Sequence, residues 1–396
     1  MGKKLWQTKS GLHPLVEAYT TSDILADQLL LPYDIQASSA HASMLCKIGV
    51  IDSDEESELQ KALDEILSLY NSDKFILTKD QEDCHTAIEQ YITEHYGQVG
   101  KKIHTGRSRN DQALVMMRLY MKDQVQEVSV KLKDLFDVFE VVSKKYMDVA
   151  MPGYTHMQRA MPTSVGIFFD SYFCAFKDIS LLMSGLKEFI DQNPLGSAAG
   201  FGINHLELDR QETTDLLNMN RVQTNPLYCA LSRGYFENTI LSTLSQIMIL
   251  TSRFSVDMML FTTQEFSYFS LSDEYVTGSS IMPQKKNYDL FEVMRGNSKL
   301  FFGYESQIRD IILGLGSGYH RDLGLTKVPF VRALDLLQTT LDLLIEVVPN
   351  LNVNKENLKK SMTKELFVTD EVYKKVAKGE AFRDAYLEVK ESFFRG

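Results

Sequence analysis

The sequence predicts an all-α protein whose centre is a bundle of roughly five long helices. Three observations carry that reading. Prolines are few, nine in 396 residues, and none lies between Pro32 and Pro152 or between Pro226 and Pro283. A proline inside a helix costs about 3 kcal/mol, so these gaps leave room for long helices. Residues 112–150 contain neither glycine nor proline, and Leu132, Leu135, Phe136 and Phe139 recur at spacings of three and four, the repeat of one helical face. Alternating runs of the strand type are hardly visible.

Residues 112–150 form the first long helix on this reading. Four more follow, at 164–191, 235–264, 288–313 and 329–347. Each is about 20–40 residues, far above the globular mean of about 11–12. Several carry Met and Phe all round, as in SQIMILTSRFSVDMMLF, and such a helix must be buried on several sides. One bundle of this size shields little, so helix-to-helix association of several copies is expected. Two breaks divide the chain: the turn-rich HTGRSRND (104–111) and Pro349-Asn350-Leu351-Asn352. They give an N-terminal helical domain over 1–104, a central bundle over 105–348 and a short C-terminal helical domain over 349–396. No internal repeat or low-complexity segment appears.

Composition narrows the function. Apolar residues make up 44%, enough for a sizeable core. The net charge is −11 and the basic residues form no tract, which argues against nucleic acid. No apolar run reaches the roughly 18 residues of a membrane span. The opening MGKKLWQTKSGLHPL lacks a signal-peptide core. Cys46, Cys84, Cys174 and Cys229 are scattered with no CxxC pair, a pattern that suits reduced thiols in a cytoplasm.

Four polar stretches sit at the edges of long apolar helices: EDCHTAIEQ (82–90), HTGRSRND, GYTHMQRAMPTS (153–164) and GSSIMPQKKN (278–287). Each alone could be solvated turn chemistry, but their contents are complementary. HTGRSRND groups Arg107, Arg109 and Asn110, with Gly106 permitting a tight turn. Arginine can hold a carboxylate through two parallel hydrogen bonds. The same residues could cap the following helix, and both can hold, because a helix start is itself an anion site. GYTHMQ offers Thr155, His156 and Gln158; a lone histidine is more often structural, but this one is flanked by a hydroxyl and an amide in a turn. In GSSIMPQKKN a serine beside glycine can present its hydroxyl to backbone N–H groups, which together with Lys285 would stabilise an oxygen anion. Lys285 and Asn287 could also hold a carboxylate whose charge rises during reaction. Glu292 follows one turn and a little later and could orient a histidine brought near by packing. GLGSG (314–318) lacks the third glycine and the βαβ setting of a dinucleotide loop. Asp83, His85 and Glu89 stand at helical spacings, but nothing nearby completes a metal-ligand set, so capping and salt bridging are expected there.

GSSIMPQKKN resembles the GSSxMPxKxN signature of the fumarase/aspartase superfamily. HTGRSRNDQ, GYTHMQRAMP and NPLGSAAG (193–200) narrow the resemblance to the argininosuccinate lyases. It runs from KKLW (3–6) through DIQASSAHASML (34–45) to FRDAYLEV (382–389), nearly the whole chain. The resemblance implies a homotetramer with a helical core made by all four subunits and active sites assembled from loops of three of them. It implies reversible elimination of argininosuccinate to arginine and fumarate in arginine biosynthesis, with no metal and no organic cofactor. By motif position Ser279 would be the base, Lys285 and Asn287 would stabilise the dianionic carboxylate, and His156, supported by Glu292 of another chain, would serve the leaving nitrogen. Arg109, Asn110, Thr155, Gln158, Tyr319 and Lys327 would hold the substrate. Ser197 would contact a carboxylate, Asp83 would face the substrate's cationic end, and Ser22 matches an N-terminal substrate serine. YHRDLGLTK (319–327) departs from the family's YNKDLQxxK: Gly324 stands where a glutamine that helps hold the arginine part is expected, and Ile167 stands where many members have histidine. The elimination machinery is thus intact while the amine-side pocket differs. Two alternatives accompany the main reading: a lyase releasing fumarate from another N-substituted aspartate, and a non-catalytic protein on the same scaffold.

Overall fold

The structure is a computed structural model that describes residues 13–20, 24–78, 81 and 83–395. It is all-α in character. Five long helices dominate: Arg109–Lys145, Val165–Ile190, Tyr235–Phe261, Asp289–Ile312 and Lys327–Val347. The expected helices are all present, with shifted ends. The first stops at Lys145 rather than near 150 because Ala150 pairs with Ser164 in a β-hairpin. The third stops at Phe261, where the hydroxyls of Thr262 and Thr263 donate to the Met258 and Leu260 carbonyls. No helix among the described residues is long and apolar enough to cross a membrane.

The chain forms two compact units, and each long helix contributes one stretch to each. The first unit comprises residues 1–128, 182–245 and 301–336. Its helix Ile24–Lys47 runs through Pro32 and buries Ala37 and Ala40 against Val115, Leu119 and Leu195. That packing offsets the lost backbone hydrogen bond of the proline. Helix Ser53–Asn71 starts with a reciprocal cap: Asp52 accepts from the Glu55 N–H at 2.9 Å, while the Glu55 carboxylate accepts from the Asp52 N–H at 3.2 Å. Arg118 is fully buried, donates to the carbonyl of Gln192 and the hydroxyl of Ser232, and lies 4.0 Å over the Phe236 ring.

The second unit comprises residues 129–181, 246–300 and 337–396. Phe139 is the centre of its aromatic core, with ring contacts to Phe169, Tyr172, Phe176 and Phe254 at 5.3–6.0 Å. Leu132, Leu135 and Phe139 are fully buried, so the face read from their spacing is the one that packs. A two-stranded antiparallel hairpin, Ala150–Thr155 with Gln158–Ser164, carries the GYTHMQ segment. Alternation did not announce it, because Pro152 and Pro162 face each other across it and its register slips between Pro152 and Tyr154. Tyr154 anchors it, its hydroxyl 2.8 Å from that of Tyr268. Near the C-terminus, helices Val368–Val376 and Phe382–Arg395 pack through Val372, Ala385 and Val389.

Candidate active site

In the first unit, a polar cavity of about 200 Å³ gathers residues from distant segments: Asp27, Asp83, His85, Arg109, Asn110, Arg233, Tyr319, Arg321 and Lys327. Asp83 caps helix Cys84–Tyr96, accepting from the Thr86 N–H at 2.8 Å and the Thr86 hydroxyl at 2.7 Å. Its other oxygen lies 3.5 Å from Arg109 Nε, and Arg109 Nη2 donates to the Thr86 hydroxyl at 2.9 Å. Burial works against the Asp83 charge, but His85, Arg109 and the Thr86 donors outweigh it and hold the carboxyl below its ordinary range. Lys327 Nζ and Asp27 Oδ1 form a buried ion pair at 2.5 Å.

The HTGRSRND loop is a cap as well as a wall. The Ser108 N–H donates to Asp111 Oδ1 at 2.8 Å, and the Asn110 N–H donates to the Ser108 hydroxyl at 3.3 Å. Asp111 then accepts from the Gly196 and Ala198 N–H groups at 3.0 and 2.9 Å, clamping NPLGSAAG to the helix start. Gly106 turns the chain with φ +76°, and a Cβ there would meet Leu208 at 2.9 Å. Arg109 and Asn110 therefore face the cavity, whereas Arg107 turns inward to the Ser38 hydroxyl at 3.0 Å. Ser197 is fully buried in the clamp and does not line the cavity. Ser22 lies outside the described residues.

Behind the wall, His85 Nδ1 is 2.7 Å from Asp34 Oδ2, and Arg107 Nη2 is 3.8 Å from Asp34 Oδ1. Burial disfavours the imidazolium, but the Asp34 charge prevails and the net shift of His85 is upward. Asp34, Cys84 and His85 place ligand-type atoms within 4.8 Å of one another. Burial pushes the Cys84 thiol up, so it stays protonated and points at Met116 Sδ, 3.4 Å away. The three side chains form an ion pair, His85 with Asp34, with a thiol beside it. The expectation of capping and salt bridging for Asp83 and His85 describes their observed partners.

His104 of the same loop carries a pH prediction. Burial, then the positive Arg107, lowers its pKa from 6.5 to about 4. As pH falls, the unfolded chain takes up this proton from about 6.5 downward while the folded chain resists until about 4. Stability is therefore expected to drop across that window, and His104→Gln to drop less. Urea unfolding of both proteins at several pH values checks this; parallel curves contradict it.

In the second unit, the two remaining motifs have defined shapes. Thr155, His156 and Gln158 are exposed at the hairpin tip. Thr155 pairs with Gln158, and His156 and Met157 between them are both left-handed, φ 53° and 64°. Such turns favour Asn-Gly, and a left-handed non-glycine costs about 1–3 kcal/mol. Retained strain of this kind is typical of ligand-facing turns. In GSSIMPQKKN, Thr277 and Asn287 exchange two backbone hydrogen bonds, 3.0 and 2.8 Å, that close the loop. Met282 to Lys285 forms a tight turn closed at 3.0 Å, with Pro283 at the position whose fixed φ suits it. The turn directs the N–H groups of Ile281 and Met282 at Ser279 Oγ, 3.3 and 3.1 Å away. Lys286 pairs with Asp273, whereas Lys285 has no acidic partner among the described residues. Asn287 Nδ2 reaches the Gly278 carbonyl at 3.4 Å. Glu292 is exposed on the first turns of helix Asp289–Ile312, and no hydrogen bond or ion pair joins it to His156 within the chain.

The cavity thus collects Asp83, Arg109, Asn110, Tyr319 and Lys327, and it adds Asp27, His85, Arg233 and Arg321, which the motifs did not single out as site residues. An acid within an apolar helix (Asp27) and a Ser-Arg-Gly break between two helices (Arg233) are the sequence signals that could have found two of them.

A helical lyase of the fumarase type is the class that this architecture and these loops define. The family model described as Lyase matches residues 10–303. An argininosuccinate lyase of Thermotoga neapolitana is 36% identical over 396 residues, covering 100% of this chain and 99% of that protein. Those of Parabacteroides distasonis and Sorangium cellulosum are 38% and 39% identical, each over 98% of this chain and over 87% and 90% of their own lengths. Among solved structures, a class II fumarase from Schistosoma mansoni superposes with TM-score 0.80 at 17% identity over 98% of this chain and 93% of that one. An EDDS lyase in complex with formate gives 0.78 at 24% over 97% and 76%. These two show the shared fold. The chain belongs to the argininosuccinate lyase family.

Proposed function

We propose that this chain catalyses the reversible elimination of argininosuccinate to arginine and fumarate, as a step of arginine biosynthesis in the cytoplasm. The observation that carries the reading is the Ser279 hydroxyl: two backbone N–H groups point at its oxygen, and Lys285 of the same loop has no acidic partner among the described residues. Donors of this kind stabilise an alkoxide more than a hydroxyl, which makes serine a usable base. Ser279 takes the proton from the carbon beside a succinyl carboxylate. The electron pair left on carbon delocalises into that carboxylate, which Lys285 and Asn287 stabilise. It then forms the alkene as the C–N bond breaks, and the leaving nitrogen is protonated through His156. Thr155 and Gln158 flank His156, and Glu292 of another chain supports it. Arg109, Asn110, Tyr319 and Lys327 hold the substrate, with Asp83 at its cationic end and Ser22 at a carboxylate, whereas Ser197, buried in the clamp, makes no contact of that kind.

The working form is a homotetramer with active sites shared between subunits. Exposed apolar residues along the long helices, including Val130, Val141, Val256, Val293 and Leu300, support it. In chain order the functional division is 1–104, 105–348 and 349–396. Purified protein given argininosuccinate is expected to produce fumarate, read by its ultraviolet absorbance. A second reading, release of fumarate from another N-substituted aspartate, rests on Gly324, which is buried in the 3₁₀ turn Arg321–Thr326 and has no side chain to hold an arginine group. No fumarate from argininosuccinate, but fumarate from another aminosuccinate, selects that reading.

A further inference from the structure

The hairpin that carries His156 is by itself a weak support for a strained tip. It is bulged: Gly153 alone stands opposite Ala160 and Met161, and a Cβ on Gly153 would lie 2.9 Å from the Met161 carbonyl oxygen. A two-stranded ribbon is marginal in water, and this one holds His156 and Met157 left-handed. Above its base it has, among the described residues, one side-chain hydrogen bond to the core, between the hydroxyls of Tyr154 and Tyr268, 2.8 Å apart. Tyr154 is half-buried, two positions before His156, with its ring against Phe261 and Phe266 at 5.9 and 5.8 Å. Arg159, its pair across the hairpin, lies beside its hydroxyl.

Tyr268, at the other end of the bond, is 1% exposed. Its N–H donates to the Phe261 carbonyl at 2.9 Å, and its own carbonyl accepts from the Asn354 N–H at 2.9 Å. Its ring lies against Phe261 and Phe266 at 5.6 and 5.3 Å. Packing among these rings needs only a phenyl group. The hydroxyl adds a polar atom to an aromatic cluster, where it must find a partner, and among the described residues that partner is Tyr154. Ring contacts tolerate sliding, whereas a hydrogen bond fixes a distance and a direction.

We propose that Tyr268 is a positioning residue for the elimination: through the Tyr154 hydroxyl it sets where the hairpin tip holds His156. The inference rests on the proposed reaction and adds to it a residue outside every motif. Two residues of strand span only about 7 Å, so a slip at Tyr154 reaches the imidazole with little loss. A misplacement of about 1 Å can cost on the order of 100-fold in rate.

The test is Tyr268→Phe, which keeps the ring and removes the hydroxyl, read in two ways on the intact protein. Without substrate, hydrogen–deuterium exchange over 150–164 is expected to quicken roughly fivefold, the worth of one hydrogen bond. The loop 276–288 and the five long helices should keep wild-type exchange rates. With argininosuccinate, kcat is expected to fall roughly tenfold or more while KM stays within about twofold. In a His156→Asn background the same substitution should change kcat by less than about twofold, because the group to be positioned is gone. Tyr154→Phe removes the bond from its outer end and should reproduce both effects; it carries the test if Tyr268→Phe does not fold. Unchanged exchange over 150–164 overturns the tether. Faster exchange with wild-type kcat, or a loss of kcat undiminished in His156→Asn, reduces Tyr268 to a stabilising residue and overturns the positioning role. Turnover by the wild type is measured separately. Its absence beside a loosened hairpin in Tyr268→Phe sinks the reaction and not the tether.

Discussion

Ser279→Ala is expected to lower kcat by about 10²–10⁴-fold, the contribution of a positioned general base. The substitution removes the one atom that accepts from both the Ile281 and Met282 N–H groups. Both donors belong to exposed residues, so water replaces the lost acceptor and the loop should keep its shape. The bridge between Thr277 and Asn287 and the Met282–Lys285 turn do not involve the Ser279 side chain. Unfolding midpoint and assembly size should therefore match the wild type. Ser280→Ala is the control: its hydroxyl makes no hydrogen bond among the described residues, and turnover should stay within about twofold, the small effect usual for surface substitutions. Near-normal turnover in Ser279→Ala would remove serine from the base role.

Asp34→Asn is expected to cost about 3–5 kcal/mol of stability, as breaking a buried charge pair from one side does. Asp34 is fully buried and faces two cations at once, His85 at 2.7 Å and Arg107 at 3.8 Å. Neutralising it strands both. The loss should depend on pH in a defined direction. The raised His85 pKa contributes stability that is fully present below the unfolded value of 6.5 and fades as pH rises through the folded value. The gap between wild type and variant should therefore be widest in mildly acidic solution and narrow in alkali, where His85 is neutral in both. Adding Arg107→Met should return part of the loss by removing the second stranded charge. Urea unfolding at pH 6 and pH 9 tests the pair; a loss under about 1 kcal/mol at pH 6 would show that the cluster is not charged as drawn.

Reading the site from sequence succeeds where the chemistry is local. GSSIMPQKKN holds its serine, its proline turn and its lysines within ten positions, and the observed turn uses them together. HTGRSRND likewise contains its own cap, Ser108 with Asp111. The hairpin at 150–164 was not legible as strands: its tip is His-Met rather than Asn-Gly, and its opposed prolines break alternation. Asp34 and His85 are 51 positions apart, and Asp27 and Lys327 are 300 apart. No spacing rule connects such pairs.

What the sequence determined by itself is therefore the helical class, the approximate extent of the five long helices and the chemical content of each loop. Proline-free apolar periodicity and short-range turn geometry act within a few residues of themselves, so they can be read in one dimension. Only the tertiary structure decided which charges share a cavity, that Arg107 turns inward while Arg109 faces the cavity, and that Arg233, from a distant segment, lines the same cavity. Those outcomes depend on burial and on the three-dimensional approach of distant segments, which set the cost of each charge and the partner that offsets it.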